Sequence, residues 1–417
     1  MRPTLYNVPG AVLQCLVACL LLLIADTSLV TEAAAPVEYV DGLPIIHLSG
    51  TPYELGYQHG QQLRTAVRQS VSRLLGYFRS YLKIPFLDVW AANWWLDRAW
   101  IEAQALLPPD IREEFRGLSE GSGVPLRELY RLHAIPDRTY SCSSFAAWGP
   151  RTASGQLIHT RNLDWNIHAG IQDSAAVFVV HPKGKHAFLN IGWAGFIGVL
   201  SGVNEQQLSI GQIGAETTDV TYRGVPMVFL MRRVLEEADG LSEAARLIEE
   251  TPRTVGVNYV IADAKAHEAI VIETTQHFAR VFRADDLKEH DVAYARPLAH
   301  AVFRADAAMD PQIRDRQLAS HGDPRRPGLE DPSGSSAYDV RYLGQAAGLE
   351  TFRGRLDVQR ALEILKAVAP SSNVQSVVFA WPEVYVANAQ GNRPAAQTTY
   401  HRLNAAKLLF GDSQFAR

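Results

Sequence analysis

Cys142 offers the most chemistry in this chain, and its neighbours are the reason. It stands in Ser141-Cys142-Ser143-Ser144-Phe145-Ala146-Ala147-Trp148-Gly149, and Arg161-Asn162-Leu163-Asp164-Trp165 follows. A thiol attacks as its thiolate, which a nearby guanidinium favours. An aspartate holds an amine through charge-assisted hydrogen bonds. Arg161 and Asp164, three apart, fit a surface ion pair equally well, and such pairs are normally worth little. A lone cysteine is often only a small buried hydrophobe. Spacing alone leaves these readings level. Other motifs are missing: H-E-x-x-H, Walker A, G-x-G-x-x-G and C-x-x-C do not occur. His159 and His168 are poorly spaced for a metal pair and read better as strand or surface histidines. The glycines of GWAGFIG (Gly192, Gly195, Gly198) resemble a phosphate loop superficially, and close strand packing explains them more simply.

The elements that must position these residues change character at Cys142. Before it, helices are expected. VEYV and LPIIHLSG form an entry strand. Thr51-Pro52-Tyr53-Glu54 is a capping box with proline in the first turn, opening a helix to about Lys83. Further helices are expected at about Leu87–Leu106, Asp110–Glu120 and Pro125–His133. After it come short apolar strands: SFAAWG, QLIHTRNLDW, AAVFVVHP, HAFLNIGW, VLSGVN and QLSIGQIGA. A helical pair follows at about Val225–Ala238 and Ser242–Glu250, then the strands GVNYVIADA, EAIVIETT and ARVFRA. Residues 285–335, polar and bearing Pro and Gly, read as a long loop. A helix at Val358–Val368 and the strands SVVFAWP and EVYVANA close the chain. This order suggests α+β layering.

Composition excludes several classes. The 417 residues carry 47% hydrophobic and 20% charged side chains and a net charge of −4, which fits a globular chain and offers no electrostatic footprint for nucleic acid. Residues 1–35 read as a signal peptide: Arg2, an apolar run too short for a comfortable span, then Ala33, Ala34 and Ala35. Its removal takes away Cys15 and Cys19, leaving Cys142 alone, with no internal disulfide and no stable membrane insertion expected. The expected location is therefore exported, whether secreted, periplasmic or otherwise extracytoplasmic.

The stretches GTPYELGYQHG, SCSSFAAWG and LIHTRNLDWN resemble the acyl-coenzyme A:6-aminopenicillanic-acid acyltransferase family. That family belongs to the cysteine N-terminal-nucleophile hydrolases and is similar to penicillin V acylases, bile-salt hydrolases and acid ceramidases. The resemblance implies a fold: a four-layer αββα sandwich of antiparallel sheets. It implies self-cleavage between Ser141 and Cys142, with Ser141 standing where many relatives have Gly. It implies that Cys142 is the nucleophile, that Arg161 contacts the nucleophile region, and that Asp164 orients the freed amine. Asn258 and Asn204 match oxyanion donors, and Arg341 a late supporting arginine; turn or surface roles are the plain alternatives for these three. A freed α-amine titrates near 7.7–8.0, so it can serve as base for its own thiol.

The reading that follows is a self-processing enzyme of three parts: a signal peptide (1–35), a mostly helical fragment (36–141) and a catalytic core (142–417). It acts on linear N-acyl amides or short peptides through a thioester on Cys142, by hydrolysis or acyl transfer, with no cofactor or metal. Two associated fragments are expected, and a homo-oligomer is compatible. A tryptophan group at Trp90, Trp94, Trp95 and Trp100 would line an acyl pocket or form core. The alternatives are a papain-like cysteine protease and a non-catalytic exported binding protein with a structural cysteine.

Overall fold

The computed structural model describes residues 37–81, 88–136, 141–292, 294–321 and 337–411; the signal-peptide reading lies outside them. A nine-stranded sheet runs, edge to edge, β1 (Glu38–Val40), β2 (Leu43–Gly50), β5 (Ala175–Pro182), β6 (Phe188–Trp193), β7 (Ser201–Asn204), β8 (Leu208–Gly214), β9 (Val257–Asp263), β10 (Glu268–Thr274) and β11 (Ala279–Phe282). A six-stranded sheet runs β12 (Ala301–Arg304), β3 (Ser141–Gly149), β4 (Gly155–Asp164), β13 (Asn373–Ala380), β14 (Glu383–Asn388) and β15 (His401–Asn404). β3 and β4 pack against β8 and β9, so the sheets lie face to face. One helical layer covers each outer side, giving the expected αββα sandwich.

In chain order the helices are α1 (Pro52–Gln62), α2 (Arg64–Tyr81), α3 (Asp88–Ala103), α4 (Pro109–Ser122), α5 (Leu126–Ala134), α6 (Met227–Glu237), α7 (Leu241–Glu250), α8 (Leu287–His290), α9 (Pro311–His321), α10 (Ala337–Thr351), α11 (Val358–Val368) and α12 (Ala405–Phe410). α1, α6 and α7 lie against the nine-stranded sheet, and α10 and α11 against the six-stranded one.

The capping box is present: the Thr51 N–H donates to Glu54 Oε2 at 2.7 Å and the Glu54 N–H to Thr51 Oγ1 at 3.4 Å. The single long helix expected from it is two, because the chain breaks step at Leu63, whose backbone leaves helical geometry. GTPYELGYQHG also explains itself in the packing. A Cβ on Gly56 would fall 1.9 Å from the Glu114 carbonyl oxygen, and one on Gly117 2.0 Å from that of Tyr53. The backbones of α1 and α4 therefore touch, which only glycine permits.

Two further expectations need correction. The sheets are antiparallel except at β2–β5, which pair in parallel, because a long crossover of helices and the β3–β4 hairpin separates them in sequence. Residues 285–335 are not simply a loop: β12 lies there and pairs with β3. The entry strand expected from VEYV and LPIIHLSG is present as β1 and β2, which extend the larger sheet.

Candidate active site

Cys142 lies near the start of β3, fully buried, with Leu163 of β4 as its cross-strand partner. Arg161 is the partner of Ser144, hence a diagonal neighbour of Cys142 on the face between the sheets. Its stem crosses to the larger sheet beside Gly211, where a Cβ would come within 3.2 Å of it. The guanidinium is tied down on each side: Nε donates to the Gln212 carbonyl at 2.9 Å, Nη1 to Ser201 Oγ at 2.8 Å, and Nη2 to Gln212 Oε1 at 3.0 Å. Nη2 also reaches Cys142 Sγ at 3.5 Å, and that thiol points its hydrogen at Gln212 Oε1, 3.3 Å away. Burial pushes the thiol up to about 11 despite Arg161, with Asp164 and Asp306 adding to the rise. The thiol of the uncut chain is therefore neutral near neutral pH.

The backbone nitrogen of Cys142 has its own cradle. Its N–H donates to Asp306 Oδ1 at 2.9 Å. Arg341 of α10 then bridges two carboxylates, donating from Nη2 to Asp306 Oδ2 at 2.6 Å and from Nη1 to Asp164 Oδ2 at 2.7 Å. Asn373 donates to Asp164 Oδ1 at 3.0 Å; a bulge in β13 between Asn373 and Gln375 turns it there. Burial lifts the Asp164 carboxyl to about 6 against the pull of Arg341 and Asn373. Arg341 is raised by its two carboxylate partners. Its alternative reading as a solvated surface arginine is therefore excluded.

The structure thus gathers Cys142, Arg161, Asp164 and Arg341 in one buried chain of contacts. Asn258, on β9, sits one residue away from that chain: its amide donates to the Ala305 carbonyl at 3.3 Å, and its Oδ1 is buried without a partner. Asn204 is not part of it. Its amide is used on the Leu235 and Ala238 carbonyls at 3.1 and 3.0 Å, and its Oδ1 accepts from the Leu208 N–H. Those bonds finish α6 and the β7–β8 turn, three residues beyond Ser201 on β7.

Two residues escaped sequence reading. Asp306 follows β12, in the stretch taken for a loop. Its backbone is fixed by Gln317, which donates to the Asp306 carbonyl at 2.8 Å. Gln212 lies on β8, and nothing in SIGQIGA marked it. Arg161, a pure donor, fixes Oε1 towards itself, which leaves the Gln212 Nε2 amide buried without a partner. A buried orphan donor beside a thiol suits a developing oxyanion.

An apolar cavity of about 20 Å³ opens beside Leu163, lined also by Leu74, Pro136, Trp165, Phe196 and Leu200. It has room for about one water molecule. None of the four tryptophans read as pocket or core lines this cavity. Trp90 and Trp94 of α3 are exposed, Trp95 stacks on Phe78, and Trp100 stacks on Tyr130. His159 is a buried strand residue between Ser144 and Ser209, while His168 is exposed.

The model of the family described as acyl-coenzyme A:6-aminopenicillanic acid acyl-transferase matches residues 151–292. That span holds Arg161, Asp164, Asn204, Gln212 and Asn258 and begins after Cys142. The chain is 27% identical over 257 residues to the protein dcd1B of Dictyostelium discoideum, covering 57% of this chain and 51% of that one. It is 23% identical over 190 residues to the acid ceramidase of Rattus norvegicus, covering 40% and 48%. The chain thus spans about half the length of these curated relatives. A solved structure of the Caenorhabditis elegans N-acylethanolamine-hydrolyzing acid amidase ortholog covers 57% of this chain and 92% of its own, at 19% identity and a TM-score of 0.41. The resemblance to the acyltransferase family is borne out over residues 151–292.

Proposed function

We propose that this protein is an exported cysteine N-terminal-nucleophile amidohydrolase that matures by cutting itself between Ser141 and Cys142. One observation carries the reading. Carboxylates surround a backbone nitrogen, through Asp306 directly and Asp164 by way of Arg341, and that nitrogen becomes an amine only if the bond before it breaks. An ordinary strand amide gains nothing from two buried carboxylates and an arginine, whose desolvation is costly.

In the first phase the Cys142 sulfur adds to the Ser141 carbonyl carbon. The C–N bond breaks, the nitrogen takes the thiol proton, and a thioester remains. Water hydrolyses it, leaving a Ser141 carboxylate, a free Cys142 thiol and a free α-amine. Ser141 lies in extended strand backbone, so no left-handed glycine is required there.

In the second phase the amine takes the thiol proton, sulfur attacks the acyl carbon of a linear amide, and the leaving amine departs with a proton. Gln212 Nε2 and the Asn258 amide supply oxyanion donors. Arg161 holds the sulfur's surroundings fixed, and Asp164 with Asp306 orients the ammonium. Hydrolysis of the thioester by water is favoured over acyl transfer, since acyl-coenzyme A is scarce outside the cytoplasm. Residues 36–141 stay bound as a separate fragment.

The test uses an N-acyl amide with a saturated medium-length chain. The processed protein releases the amine and, on rapid acid quench, carries one acyl group on the peptide beginning at Cys142. A processed protein that cleaves none of a panel of N-acyl amides and short peptides contradicts the reading.

A further inference from the structure

Asp164 ends β4 in a buried position, and its two carboxylate oxygens meet different parts of the chain. Oδ2 accepts from Arg341 of α10, and Oδ1 from the Asn373 amide of β13, which lies 209 residues further along the sequence. Asn373 is fully buried. Its two amide hydrogens serve three acceptors, since Nδ2 also faces the Leu163 and Gln375 carbonyls, both at 3.1 Å. Its Oδ1 accepts from the Ala396 N–H at 2.9 Å. Ala396 belongs to the turn Ala395–Gln397, which leads into β15.

These contacts fix which way the amide faces. The Ala396 N–H only donates, so it must meet Oδ1, and Nδ2 must meet the carboxylate. One neutral side chain thereby joins the end of β4, the bulged start of β13 and the turn before β15 at a single oxygen of Asp164. The charged and titratable groups that face this carboxylate are Arg341 of α10, Asp306 after β12 and the Cys142 thiol of β3. β13 itself carries no charged residue. Burial and Asp306 work against the ionised form of Asp164, and Arg341 and Asn373 favour it.

We propose that Asn373 is a positioning residue that keeps the Asp164 carboxylate ionised and in register with Arg341 for the ammonium formed at Cys142, and so sets the acid side of the enzyme's pH profile. The inference deepens the amidase reading and rests on it. A donor on a carboxylate oxygen favours the charged form. Without that donor, Asp164 keeps its proton to higher pH, and a neutral acid does not balance an ammonium. The loss is therefore confined to low pH. Once the pH is high enough to ionise Asp164 unaided, Arg341 still holds Oδ2, and the chemistry recovers.

The variants are Asn373→Ala and Asn373→Asp. The aspartate keeps the shape and the acceptor for Ala396 but sets a second carboxylate against Asp164, so it carries the test if the alanine variant fails to fold. Asn162→Ala is the control. Asn162 lies on the same strand and is equally buried, but it bonds the Leu365 carbonyl and Ser376, not Asp164. The probes are N-octanoyl ethylamide and N-octanoyl anilide, uncharged throughout, so the pH profile of kcat/KM belongs to the protein. In Asn373→Ala the acid side is expected to move up by about 1 pH unit, a roughly 10-fold loss at pH 5.5, and further in Asn373→Asp. At pH 8 both stay within a few-fold of wild type, and Asn162→Ala keeps the wild-type acid side at lower stability. Asn373 variants with the wild-type acid side, or with equal losses at every pH, overturn the assignment and leave the amidase reading standing. So does a folded Asn373→Asp that stays uncut between Ser141 and Cys142 at pH 8. Processed wild-type protein that cleaves neither amide overturns both.

Discussion

Among single residues, two amides that look alike in sequence do different work. Gln212 has an unpartnered buried Nε2 beside the sulfur, whereas Asn204 is fully used in finishing α6. Gln212→Leu should lower kcat on an amide by about 10²- to 10³-fold, the usual cost of losing an oxyanion donor. Asn204→Ala should leave kcat of the folded enzyme unchanged and cost roughly 2–4 kcal/mol of stability, since it gives up three buried hydrogen bonds. Steady-state kinetics beside urea unfolding separates the two; a kcat loss confined to Asn204→Ala would reverse the assignment. Cys142, Arg161 and Asp164 could be grouped from the sequence because one strand pair carries all three, and the family resemblance gave them their roles. Asp306 and Gln212 were not, because their proximity comes from other strands of the two sheets and no local spacing encodes it. Asn204 shows the converse: an asparagine at a strand end matched a motif position while serving a turn.

At the scale of elements, the segment before Cys142 owes its packing to glycines. Gly56→Ala places a methyl 1.9 Å from the Glu114 carbonyl oxygen, and the forced separation of α1 from α4 should cost about 1–3 kcal/mol. Gly76→Ala, on α2, meets nothing within 4 Å and should stabilise by about 0.5–1 kcal/mol, since alanine suits a helix interior better. Opposite shifts of the urea midpoint are expected; two shifts of the same sign would contradict the contact. Helices and strands with a clear period were legible, and Val358–Val368 agrees with the observed α11 to the residue. β12 was not, because its four residues are too few to show a period and are held as a strand by pairing with β3.

At the scale of the whole molecule, three buried histidines link stability to acid. Burial holds His59 and His159 down to about 3 and His133 to about 4, from an ordinary 6.5. Below pH 6.5 the unfolded chain takes up a proton at each, while the folded chain does so only near those lower values. Unfolding therefore gains as pH falls through this window, at up to about 1.4 kcal/mol per pH unit per histidine. The urea midpoint should drop between pH 7 and pH 5, and less steeply in His59→Gln, which lacks one of the three groups. An equal slope in that variant would mean that His59 is not held neutral. The α+β layering was legible from the order of strands and helices, and the two-sheet sandwich through the family resemblance; the parallel β2–β5 pair was not, because it joins strands far apart in the chain.

The central claim is that the nitrogen held by Asp306, beside the Arg341-bridged Asp164, is a future N-terminus. Intact-mass measurement of the purified protein beside its Cys142→Ala variant tests it most directly. Two wild-type fragments meeting between Ser141 and Cys142 are expected, and one unbroken chain in the variant. A wild-type chain that stays whole, or a variant cut at the same bond, would contradict it.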